Sequence, residues 1–315
     1  MKQRLISSAV IISLFVGILY LDISKPLLET GGLWLLPLVL VIALLATSEL
    51  VDMFTSEGML TRKRHVVFSV ALVHLLTFIP LLTDAFGGGY PDSCPVGRLG
   101  WIPIGAVLAL SWLWVVEMRH YDQAGGAIQR LANSTLIVMY AGVAMSFLTI
   151  LRTLDAQTTP NCPWGMVALL SIVIVSKAAD SGAYFVGKSI GRHKMAPRLS
   201  PGKTMEGACG AILAGVFAAV CVGTWLAPHL TQILSGSSMK PQAGPLWAWA
   251  IYGLMITLTG IFGDLAESLI KRDMQQKDSS HWLPGLGGVL DIMDSITLSL
   301  VPAYLFWTTG LLGPS

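Results

Sequence analysis

Nine stretches of this chain, each about 17 to 23 mostly apolar residues long, are matched to the thickness of a bilayer. They fall at about 5–21, 33–51, 66–82, 101–117, 134–151, 165–186, 208–227, 246–263 and 288–310. Inside hydrocarbon a backbone must satisfy its own hydrogen bonds, so each stretch is constrained to helix unless a barrel closes. No strand-like alternation competes with the helical reading, and Gly, Pro, Asn and charged residues separate the stretches as turns require. Only 12% of the 315 residues are charged, against roughly 25% in soluble domains. The expected fold is all-α, a polytopic integral membrane protein with about nine transmembrane helices.

Nine spans put the two termini on opposite sides, and Lys and Arg orient them. With a cytoplasmic N-terminus carrying Lys2 and Arg4, the inside segments hold fifteen Lys and Arg and the outside segments four, with Lys177 inside a span. The first span follows its two cations without a small-x-small cleavage site after Tyr20, so it reads as a retained helix. A net charge of +2 is too small to point to nucleic acid, but the basic residues gather on one face, where they would meet anionic headgroups. Cys94 and Cys162 fall in two outside loops and could pair in an oxidising compartment; Cys209 and Cys221 lie within the seventh span.

The chain divides in character into N-terminal membrane helices, 1–160, and a C-terminal region, 161–315. The second carries Lys177, Asp180, Asp264, Glu267, Lys271, Asp291 and Asp294 in or beside its helices. A charge at the bilayer centre costs ~2.5–3.5 kcal/mol on insertion scales, so such groups face a polar cavity or a partner. Asp291 and Asp294 are spaced i, i+3 on one helix face, and Asp264 and Glu267 repeat that spacing. Two such pairs facing one another would form an oxygen-rich site for a hard cation such as Mg2+. A salt bridge to Lys271 or Arg272 is the structural alternative.

Around the acids stand Lys271, Arg272 and Lys277, with Lys188, Arg192, Lys194, Arg198 and Lys203 in the preceding inside loop. Acids that hold a metal, set beside cations that neutralise phosphate, suit metal-assisted phosphoryl or nucleotidyl transfer. SPGKTMEG at 200–207 is no P-loop, because Pro197 stands where that motif needs glycine and no strand is expected before it. It reads instead as a tight turn carrying Ser200, Lys203 and Thr204 into a helix N-terminus, a suitable place for an anion.

These residues carry a resemblance. GDLAESLIKRDMQQKDSSHWLPGLGGVLDIMDS, residues 263–295, resembles the signature of phosphatidate cytidylyltransferases (CDP-diacylglycerol synthases), S-x-x-K-R-x4-K-D-x5-P-G-H-G-G-x-x-D-R-x-D. Ser268, Lys271, Arg272, Lys277, Asp278, Pro284, Gly285, Gly287, Gly288, Asp291 and Asp294 fall in register. ADSGAYFVGKSIGRHKMAPRLSPGKTMEG, residues 179–207, is similar to the family's second conserved block. Leu286 and Ile292 depart from it, standing where the family usually has histidine and arginine.

The resemblance implies transfer of CMP from CTP to phosphatidate in a cell (inner) membrane, with the active site facing the cytoplasm. It implies metal ligation by Asp264, Asp291 and Asp294, and phosphate binding or catalysis by Lys203, Lys271, Arg272, Lys277 and Asp294. Asp180, Ser200, Thr204, Ser268, Gly287 and Gly288 would line the substrate site. The cofactor is Mg2+, with room for a second cation. The partners are CTP, phosphatidate and membrane lipid, with no nucleic acid and a homodimer left open. Two alternatives remain at this point: a CTP-dependent kinase of a prenol or phytol-type alcohol, and an ion-coupled transporter, which would predict internal repeats.

Overall fold

A computed structural model describes residues 2–59, 61–154, 163–235, 243–280 and 282–313. Among these residues eight helical segments are long and apolar enough to cross a membrane. The pair α3 (Lys63–Thr77) and α4 (Ile79–Ala85) supplies a ninth if taken as one span, bent by 45°. The bend sits at Phe78, just before Pro80 in the first turn of α4. Proline lacks an N–H and crowds the carbonyl four residues back, which accounts for the break.

The other helices are α1 (Lys2–Ser24), α2 (Leu35–Ser56), α5 (Trp101–Arg119), α6 (Ala127–Ile137), α7 (Met145–Arg152), α8 (Pro163–Ile190), α9 (Met205–Cys221), α10 (Ala227–Ser235), α11 (Leu246–Asp273), α12 (Val289–Thr297) and α13 (Leu300–Trp307). Two spans contain π-helical turns, Val138–Ala144 between α6 and α7 and Val222–Leu226 between α9 and α10. The all-α expectation holds, with one short hairpin as a local difference. Between α8 and α9 the strands β1 (Lys194–Ala196) and β2 (Ser200–Thr204) form an antiparallel hairpin, so SPGKT is strand where a tight turn was expected.

The chain forms two compact units, Met1–Ile150 with Asp273–Met293, and Leu151–Arg272 with Asp294–Ser315. In the first, α3 is the central helix: Val66, Val70 and Val73 are wholly buried at i, i+4, i+7, one stripe of a helical period. A Cβ on Gly105 of α5 would lie 3.0 Å from the Val73 Cα, so α3 and α5 approach almost backbone to backbone. Glu117 at the end of α5 bridges two arginines, Arg62 at 3.1 Å and Arg130 at 2.8 Å, which fastens the loops on that side. On the other, Asp84 takes two bonds from Arg98, 2.7 and 3.1 Å long.

The second unit is packed through small residues, as membrane helices without a hydrophobic drive between them require. A Cβ on Gly182 of α8 would stand 2.6 Å from both the Ala214 Cβ and the Gly210 carbonyl of α9. Gly215 likewise leaves room for Thr257 of α11, and Gly223 for the Trp249 indole. Ala211-x-x-x-Gly215 and Ala219-x-x-x-Gly223 thus each place a glycine where α11 comes close. Trp249, Tyr252 and Trp307 stack edge to face at 5.8 to 6.4 Å, with the Tyr252 hydroxyl 2.8 Å from Ser171 Oγ.

Candidate active site

In the second unit a cavity of about 330 Å³ opens between α8, the hairpin, α9, α11 and α12, and Asp180, Ser200, Lys203, Thr204, Asp264 and Ser295 bring polar atoms to its wall. The hairpin sets the near side. Thr204 is extended and its Oγ1 accepts from the Gly207 N–H at 3.1 Å, an N-cap that fixes where α9 begins. Gly187 and Gly191 let the end of α8 lie against Thr204; a Cβ at Gly191 would be 2.7 Å from its Oγ1. Glu206, in the first turn of α9, accepts from the Arg192 and His193 N–H groups and sits 2.6 Å from His193 Nδ1, so the hairpin is tied at its open end.

Held this way, Lys203 reaches across to α11, where its Nζ lies 2.6 Å from Asp264 Oδ2 with both side chains more than two-thirds buried. On the far side Asp180 joins a small network: Lys177 Nζ donates to its Oδ2 at 3.1 Å, and Ser295 Oγ donates to the same oxygen at 3.1 Å. Asp294 precedes Ser295, and Asp264, Asp180 and Lys177 all act on it electrostatically. The approach of α11 to this point depends on Gly263, where a Cβ would be 2.5 Å from the Asp294 carbonyl. Asp180, Lys203 and Asp264 thus line one small volume, with Asp294 and Lys177 close behind its wall.

Not every expected residue joins it. Glu267, one turn beyond Asp264, is wholly buried and pairs with Lys271 at 3.2 Å within α11. The two acids of that i, i+3 pair therefore serve different ends, and the ion-pair alternative describes Glu267. Arg272 Nε donates to the Leu199 carbonyl at 3.2 Å, bracing the hairpin, and Ser268 is buried on α11. Among the described residues no group of three or more His, Cys, Asp or Glu is clustered tightly enough to hold a metal by itself.

Lys277, Gly287, Gly288 and Asp291 belong to the first unit. There the loop Ser279–Gly288 folds around two carboxylates. Asp291 Oδ2 accepts from the Ser279 N–H at 2.9 Å, Ser279 Oγ at 2.7 Å and the Gly288 N–H at 2.8 Å. Glu49 of α2 accepts from Ser279 Oγ at 3.0 Å, Ser280 Oγ at 2.8 Å, and the N–H groups of Val289 and Leu290 at 2.9 Å each. Gly287 has φ +87° and a Cβ there would meet Asp291 Oδ2; one on Gly288 would run into Ser279 Oγ and Glu49 Oε2. Both glycines are needed for the loop to close, while Lys277 remains exposed.

Glu49, Ser279, Ser280 and Ser295 were not singled out from sequence. Glu49 carried a usable signal: it is the one charged residue in the apolar stretch 33–51, and an acid in a span demands a partner. Leu286, in the family's histidine position, is half-buried in the loop and its N–H donates to the Leu283 carbonyl at 2.9 Å, so that bond is indifferent to the side chain.

The model of the Cytidylyltransferase family matches residues 2–309. The chain is 28% identical over 328 residues to a phosphatidate cytidylyltransferase of Synechocystis sp., covering 96% of this chain and 95% of that protein. It is 26% identical over 315 residues to the enzyme of that name from Mycobacterium tuberculosis, covering 97% and 83%. To that of Pseudomonas aeruginosa it is 32% identical over 216 residues, covering 65% and 70%.

Proposed function

The chain belongs to the cytidylyltransferase family, as a multi-pass membrane nucleotidyltransferase, and we propose that it transfers CMP from CTP to phosphatidate, giving CDP-diacylglycerol and pyrophosphate. A phosphate oxygen of the lipid attacks the α-phosphorus of CTP. The new P–O bond forms as the bond from the α-phosphorus to its bridging oxygen breaks, and the electron pair leaves on pyrophosphate. The lipid phosphate is already ionised at neutral pH, so the step needs no strong general base. The excess of Lys and Arg in alternate loops supports a cytoplasmic site in a cell (inner) membrane.

The observation that carries this reading is the 2.6 Å pair of Lys203 and Asp264 on the wall of a cavity that Asp180 and Ser295 share. A phosphate-binding cation and a metal-binding acid, held together in one pocket, are the two elements that transfer from a triphosphate requires. The donor set fits Mg2+, which binds one or two carboxylates and completes its shell with phosphate oxygens and water. Asp264 and Asp294 would hold it, and when bound it would neutralise the charge of the phosphates. Lys203 contacts the triphosphate, Asp180 and Ser295 orient the donor, and the half-buried wall limits water at the reacting phosphorus. Lys177, 3.1 Å from its Oδ2, holds Asp180 in place. In the other unit, Asp291 serves to close the loop that follows Lys277.

The test is purified protein in detergent with phosphatidate, Mg2+ and CTP labelled at the α-phosphate, wild type against Asp294→Ala. Label in the lipid with wild type alone supports the transfer. Label that reaches a lipid alcohol only from the γ-phosphate overturns it in favour of a kinase.

A further inference from the structure

We propose that Glu49 is a positioning residue for the reaction, holding the Ser279–Gly288 loop and the first turn of α12 in working geometry; this rests on the cytidylyl-transfer reading. Glu49 lies on α2, is 5% exposed, and stands 230 residues or more from every group it touches. All four donors are neutral. Two are hydroxyls of consecutive serines, and two are the first N–H groups of α12, which have no partner within their own helix.

A buried carboxylate is costly unless its hydrogen bonds are complete, and here the completion comes from one loop and one helix end. The positive end of the α12 dipole favours the negative charge further. Asp291 closes the same loop from inside, through the Gly288 N–H and both donors of Ser279. Ser279 Oγ lies between the two acids, 3.0 Å from Glu49 and 2.7 Å from Asp291. A side chain at Gly288 would strike both Ser279 and Glu49, so the loop is fitted to this carboxylate rather than simply near it. By contrast Glu57, just past the end of α2, accepts a 2.8 Å bond from Gln275 and, among the described residues, touches none of this loop in its hydrogen bonding.

The experiment compares Glu49→Gln and Glu57→Gln with wild type, by kinetics and by hydrogen exchange of peptides covering 279–291. For Glu49→Gln the Val289 and Leu290 amides exchange faster, and kcat falls about tenfold or more while KM for CTP moves less than about threefold, the pattern of lost preorganisation. Glu57→Gln leaves both unchanged. Faster exchange with wild-type kcat overturns the proposal and makes Glu49 a structural clip only. If Glu49→Gln does not purify folded, Ser280→Ala, which removes one of the four donors, carries the test: kcat falls about threefold or more at an unchanged melting temperature, and an unchanged kcat overturns the proposal. A wild type that moves no α-label into lipid instead refutes the cytidylyl-transfer reading itself.

Discussion

Lys203 Nζ lies 2.6 Å from Asp264 Oδ2, so the cation suited to phosphate and the acid suited to metal neutralise each other before either ligand arrives. On the proposed function, binding both ligands would separate the pair without leaving a bare charge, Asp264 turning to the metal and Lys203 to the triphosphate. Each should therefore tighten the other, and that coupling is reciprocal. Lys203→Met should lower kcat/KM for CTP roughly 10- to 150-fold, the worth of a hydrogen bond to a charged group. It should also move half-activation to lower Mg2+, because the competing cation is gone. Steady-state rates over a Mg2+ and CTP grid check both, and an unchanged Mg2+ midpoint would sink the exchange.

Asp294 and Asp291 should separate activity from stability. Asp294 has two like charges around it, Asp264 and Asp180, against the one opposite charge of Lys177. Asp294→Asn should lose about 100-fold or more in kcat, the several kcal/mol a metal ligand supplies, with a melting temperature equal to or above wild type. Asp291 accepts three bonds from its loop, so Asp291→Asn should lower the melting temperature. Thermal unfolding in detergent beside the labelled-CTP assay distinguishes them; equal losses of stability would refute the division of roles.

The spans were legible because a bilayer leaves an apolar stretch of about 20 residues few alternatives, and each of the nine coincides with a helix or the bent pair. What escaped depends on partners distant in sequence. SPGKT shows no alternation over its five residues, and it becomes strand only because Lys194 and Ala196 pair with Thr204 and Ser200. Both π-helical turns lie inside apolar sequence with no local mark. The signature acids were visible, but sequence spacing could not tell that Asp264 would line a cavity while Glu267 was buried against Lys271. Glu49 stood out as the one charge in its span, but what it holds was not legible, because its partners belong to another segment.

Gly288→Ala should destabilise the protein by about 1–3 kcal/mol, the usual cost of forcing extra volume into a packed site. Its Cβ has only Ser279 Oγ and Glu49 Oε2 to move, and both are hydrogen-bonded where they stand. Gly17→Ala is the control: nothing lies within 4 Å of a Cβ there, and alanine in a helix is favoured over glycine by about 1 kcal/mol. Melting curves should fall for the first and hold or rise for the second. A Gly288→Ala protein that melts with wild type would mean the loop is not closed as described.

Cys94 offers a test of the extramembrane loop that pH makes readable. The Tyr90 hydroxyl lies 3.1 Å from its Sγ, and that bond, with the Val96 and Gly97 backbone, holds the thiol below its ordinary range. Cys162 lies outside the described residues, so whether the two pair has to be decided chemically. Tyr90→Phe removes the bond that favours the thiolate, so the Cys94 pKa should rise and alkylation below that pKa should slow. Near pH 7 the iodoacetamide rate should fall severalfold, and the difference should close at pH values where both thiols are ionised. A thiol that reacts only after reductant would show that Cys94 is held in a disulfide, and equal rates in wild type and Tyr90→Phe would show that the hydroxyl does not govern it.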